Sequence, residues 1–77
     1  GVRKRRVQNI AELEYPAVLF LDVGGPLSHA VAYIGRSGTM ATILDPAKGV
    51  RIMNDDDVSA VWGGYAIEIL PRNATEA

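Results

Sequence analysis

The sequence predicts an α+β domain, a small antiparallel sheet of four or five short strands with two short helices. Three observations carry that expectation. β-rich runs follow one another with only tight turns between them, as at 28–34 and 39–44 around Gly35-Arg36-Ser37-Gly38, so neighbouring strands run antiparallel. No crossover helix separates them, which excludes a parallel α/β sheet. Helical periodicity is confined to two places, residues 9–13 and 55–62.

Composition narrows the class further. A chain of 77 residues is one small domain or part of one. A domain of that size buries only about 60% of its unfolded surface, so its core is marginal. A hydrophobic fraction of 48% is too high for disorder. A net charge of −1 argues against a nucleic-acid binder held by bulk charge. The absence of Cys excludes disulfides, thiolate metal sites and a Cys nucleophile on this chain. One His without Cys does not build a tetrahedral zinc site, so neither a metal nor an organic cofactor is expected. The longest apolar run, 17–21, is far below the roughly 20 residues of a membrane helix. The basic start is followed by no apolar segment of the signal-peptide kind.

In chain order, Arg3-Lys4-Arg5-Arg6 reads as a solvated arm or the last turn of a helix rather than an anion-binding patch, because the rest of the chain is net negative. Val7, Ile10, Ala11 and Glu14 share a face at helical spacing, and Tyr15-Pro16 stops that helix. Ala17-Val18-Leu19-Phe20-Leu21 is apolar without alternation, as in a strand buried on both faces. Asp22 to Pro26 is a turn by composition. Its Gly24-Gly25 pair is not read as a leader cleavage site, since Asp22 precedes it where such leaders are apolar and Pro26 follows the bond. Two strands then flank the turn at 35–38, and Val50-Arg51-Ile52-Met53 alternates as a short fourth. Asn54 caps a helix whose positive end takes Asp55, Asp56 and Asp57, and the EF-hand pattern is not met. Val58, Val61 and Trp62 face inward, and Gly63-Gly64 stops the helix. The last strand is 65–70, closed by Pro71. The expected divisions are 1–15 as arm and short helix, 16–70 as the sheet, and 71–77 as a flexible tail. The tail holds the chance-prone sequon Asn73-Ala74-Thr75.

Two residues carry candidate chemistry. His29 opens one strand of the hairpin and Asp45 closes its partner, so antiparallel pairing brings them together. A carboxylate beside an imidazole is the orienting half of a nucleophilic triad. On residue type alone, a lone His at a strand start is more often a surface residue, and Asp before Pro is more often a turn former. An apolar sheet with only two short helices to cover it is expected to expose a patch that dimerises, aggregates or binds a missing part.

Pro16-Ala17-Val18, His29-Ala30-Val31, Asp45-Pro46-Ala47-Lys48-Gly49, Trp62-Gly63-Gly64 and the closing apolar strand together resemble peptidase family C39 over residues 9–70. These are bacteriocin-processing cysteine peptidases that cleave after double glycine and are often fused to ABC transporters. The resemblance implies the antiparallel sheet half of a papain-like fold, with the Cys and an oxyanion-hole Gln on a separate helical half. By position, His29 matches the family's general base and Asp45 the residue that orients it. Pro46, Gly49, Trp62 and Gly64 match structural positions. Ala30 is smaller than the bulky residue the family often carries after its His. No position matches the Cys or the Gln.

The resemblance also implies a peptide substrate with a Gly-Gly motif and a location in the cytoplasm when an ABC transporter is attached. The Cys would come from a second polypeptide, from a missing N-terminal half of a fragment, or not at all in a degenerate domain that kept only binding. A peptide-binding module and a small structural protein therefore stand beside the peptidase reading.

Overall fold

The computed structural model describes residues 1–73, so Ala74 and Thr75 of the sequon and most of the expected tail lie outside the described residues. Six strands form one antiparallel sheet: β1 (Val2–Arg6), β2 (Ala17–Leu21), β3 (His29–Ser37), β4 (Met40–Asp45), β5 (Gly49–Asn54) and β6 (Trp62–Ile69). Their spatial order is β1-β6-β2-β3-β4-β5. Among the described residues there are also one helix, α1 (Asp55–Val61), and a 3₁₀ turn at Ile10–Glu12. The class is α+β, weighted towards β.

The basic run is not an arm. Arg3 to Arg6 form most of β1, which pairs with β6 from Val2↔Ile69 to Arg6↔Tyr65. Burial explains the change. Glu68 on β6 is fully buried, and Arg3 reaches it with Nε at 2.9 Å and Nη2 at 2.7 Å. The backbone N–H groups of Glu14 and Tyr15 also donate to Glu68, at 2.8 and 3.0 Å. Burial pushes this carboxyl up, but the Arg3 hydrogen bonds and the two N–H donors outweigh it and hold it below the usual glutamate value.

The first expected helix is one 3₁₀ turn. Asn9 Oδ1 accepts from Ala11 N at 2.8 Å, and Glu12 Oε2 accepts from Asn9 N at 2.8 Å. This reciprocal cap satisfies the turn's free N–H groups. Ile10 and Leu13 point into the core, while Ala11 and Glu14 are exposed. The spacing that put Val7, Ile10, Ala11 and Glu14 on one face fails because the turn is too short for 3.6-residue periodicity.

The β3–β4 turn also sits later than expected. β3 runs through Gly35 and Arg36 to Ser37, a bulge shifts its register between Tyr33 and Gly35, and the chain reverses at Gly38-Thr39. Arg36, held on the strand by this shift, pairs with Asp55 in the first turn of α1. Asn54 caps that helix through Asp56 N at 2.9 Å. Gly63-Gly64 do not stop it. The helix ends at Val61, and Trp62 already begins β6.

α1 and the 3₁₀ turn cover one face of the sheet. Ile10, Leu13, Val58 and Trp62 pack there with Leu19, Leu21, Val31, Tyr33, Ala41 and Ile43. β2 is therefore buried on one side only: Ala17, Leu19 and Leu21 are buried, Val18 is half-buried and Phe20 is exposed. Among the described residues no helix is long and apolar enough to cross a membrane.

Candidate functional site: a histidine–aspartate pair

Strand alternation puts His29 on the same face as Val31 and Tyr33, and Asp45 on the same face as Ala41 and Ile43. The two side chains thus emerge together at one end of the covered face. His29 Nε2 lies 2.7 Å from Asp45 Oδ1. The imidazole is 28% exposed and the carboxylate 1% exposed, so the pair has one solvent-facing and one buried member.

The β4–β5 turn grips Asp45 from below. Ala47 N donates to Oδ1 at 2.8 Å and Lys48 N at 3.3 Å. Lys48 N also donates to the Asp45 backbone carbonyl at 3.2 Å. Pro46 fixes the backbone at the start of this turn, and Gly49 closes it at φ +83°, a left-handed conformation that disfavours any side chain. The Asp-Pro-x-x-Gly spacing is thus a backbone device that presents two N–H groups to one carboxylate. The hydrogen bond with His29 is the main cause that lowers the Asp45 pKa from 3.8 to about 2. Burial opposes it, and the Ala47 and Lys48 N–H groups assist.

Trp62 and Gly64 sit away from the pair and hold the layer beside it. Trp62 is buried, and its Nε1 donates to the Tyr65 carbonyl at 2.8 Å. Gly64 has φ +95°, and a Cβ there would fall 2.2 Å from the Val7 carbonyl oxygen. Val7 N donates to Gly64 O at 2.9 Å, so β1 continues into the 3₁₀ turn only because residue 64 lacks a side chain.

Sequence reasoning missed Arg51, whose Nη1 lies 3.4 Å from Asp45 Oδ2. The signal was present, since alternation along β5 places Arg51 two positions from Gly49, the partner of Asp45. It missed Glu68 as well, because a lone carboxylate between Ile67 and Ile69 in an apolar strand carries no inward signal of its own. A cavity of about 220 Å³ opens beside the pair, lined by Val23, His29, Asp45, Ala47, Lys48 and Arg51. On the opposite face lies an apolar groove of about 400 Å³ whose lining includes Val18, Ala30, Ala32, Leu44, Pro46 and Val50. Among the described residues no group of three His, Cys, Asp or Glu side chains could hold a metal ion.

An imidazole whose Nε2–H donates to a fixed carboxylate keeps Nδ1 as the nitrogen that can take and return a proton. A buried carboxylate beside an imidazole is an arrangement that can orient a base for acyl transfer. The model of the Peptidase C39 family matches residues 2–74, nearly the whole chain, and the chain belongs to that peptidase family. No curated protein matches it.

Proposed function

We propose that this chain is the sheet half of a papain-like C39 peptidase, contributing His29 as general base and Asp45 as its orienting partner to a Cys carried on a helical half. The observation that carries the reading is the 2.7 Å contact between His29 Nε2 and a buried, backbone-gripped carboxylate. The chain has no Cys, so the nucleophile comes from a second polypeptide or from another part of a longer one.

The chemistry follows from those groups. Nδ1 of neutral His29 takes the thiol proton, and the resulting thiolate–imidazolium pair is stabilised by Asp45. The thiolate attacks the peptide carbonyl, the C–N bond breaks, and His29 returns the proton to the leaving amine. Water, deprotonated by the same imidazole, then releases the acyl group as a carboxylate. Family membership supports cleavage after a Gly-Gly pair, for which a narrow cleft suffices, in a leader peptide handled with an ABC transporter. The apolar groove on the other face supports contact with the helical half or with the substrate peptide.

The test is reconstitution. Alone, the chain leaves a Gly-Gly peptide intact. Mixed with a helical half bearing Cys and Gln, it cleaves after the second Gly. A folded complex that binds the peptide without cutting it replaces this reading with a binding module, which the missing Cys and the open groove favour.

A further inference from the structure

The two oxygens of Asp45 are held unequally. Oδ1 meets His29 Nε2 and two backbone N–H groups. Oδ2 meets one described donor, Arg51 Nη1 at 3.4 Å. Strand register explains this contact. β4 and β5 pair Asp45 with Gly49, so Arg51 is the diagonal neighbour on the same face, within reach of a long side chain. The charged groups facing Asp45 are His29 from β3, Arg51 from β5 and Lys48 from the turn between β4 and β5.

We propose that Arg51 is a positioning residue of the His29–Asp45 pair, holding the carboxylate by Oδ2 so that Oδ1 stays aimed at the imidazole. Without it, Oδ2 is a buried carboxylate oxygen that has lost its donor, which favours rotation about the soft terminal torsion of the side chain. Rotation carries the acceptor away from Nε2 and frees the ring to populate its other tautomer. The importance of this for turnover rests on the peptidase reading; the geometric claim does not.

His29 is the only His in the chain, so its ring nitrogens give unambiguous NMR signals. They are recorded at pH 9, where an imidazole is neutral. Wild type is expected to show a dominant tautomer protonated at Nε2. Arg51→Gln, which lacks the charge, is expected to lower the tautomer ratio about threefold or more. Arg51→Lys, which keeps charge and donor, restores most of it. Arg51→Met is the second neutral variant should the Gln form fail to fold. An unchanged ratio in a folded neutral variant overturns the proposal, and so does an equal loss in Arg51→Lys, which marks a general loosening of the turn. The measurement needs neither thiol nor peptide. Failure of the reconstituted wild type to cleave ends the peptidase reading and leaves this result standing.

Discussion

The two faces of the sheet are made from the same strands and do opposite things. The face under α1 and the 3₁₀ turn holds the buried core, and it also holds Asp45 and Glu68, each satisfied by several donors. Among the described residues no helix covers the other face. A row crosses it from Lys4 on β1 through Ile67, Val18, Ala32 and Leu44 to Val50 on β5. Val50 is 67% exposed and Leu44 39% exposed. The outward positions of the strands carry no acidic side chain, and the cations Lys4 and Arg6 stand at the β1 edge. A sheet of six strands with one short helix can cover only one side. The buried carboxylates Asp45 and Glu68 are built into the covered side, where burial and donors fix them, and the open side keeps apolar surface available for contact.

Substitutions on the covered face are expected to cost activity or folding. In the reconstituted peptidase, His29→Ala lowers kcat by about 10²–10⁴-fold, measured by peptide cleavage, because the proton carrier is gone. Asp45→Asn costs less, since it disturbs only the orientation of the ring. Full activity of His29→Ala would remove the chemistry from this face. Trp62→Ala is expected to destabilise the chain by about 3–5 kcal/mol in chemical denaturation. A loss under about 1 kcal/mol would show that the Trp62 indole contributes little to the core of the covered face. Glu68→Ala is expected to cost about 3 kcal/mol, because it strands Arg3 and two backbone N–H groups around a lost carboxylate.

Acid sharpens the same comparison. Two of the buried carboxyls titrate below their ordinary values, Asp45 at about 2 and Glu68 held down, against burial, by Arg3 and two backbone N–H groups. A lowered folded pKa gives stability that is present above the unfolded value and lost as pH falls through the folded one. Urea midpoints are therefore expected to fall between about pH 4.5 and pH 2, and Asp45→Asn and Glu68→Gln each flatten that fall. The smallest effect belongs to the open face. Leu44→Lys or Val50→Lys is expected to change unfolding free energy by about 0.5 kcal/mol or less while reducing self-association in sedimentation. A large loss of stability there would mean that the two faces are not divided in this way.

Much of the candidate site was legible in the chain. The His29–Asp45 contact followed from antiparallel pairing and one tight hairpin, although the turn lies at Gly38-Thr39 rather than across 35–38. The bulge between Tyr33 and Gly35 then shifts the register by one residue, so that Ala32 pairs with Leu44 and His29 and Asp45 share a face. The cap at Asn54, the inward Val58 and Trp62, and the grip of Asp-Pro-x-x-Gly on its own carboxylate are local, and local patterns report them.

The sequence by itself determined the strand-rich class, the hairpin that joins His29 to Asp45 and the capped helix, because each depends on residues near one another in the chain. Only the tertiary structure decided that the basic run is a strand, that Glu68 points inward while Ile69 faces out, and that Phe20 is exposed. Those outcomes depend on partners far away in sequence. Trp62, Gly64 and Ala66 set the inward phase of β6 and carry Glu68 in with them. Arg3, 65 positions earlier, then supplies the charge that a buried carboxylate requires.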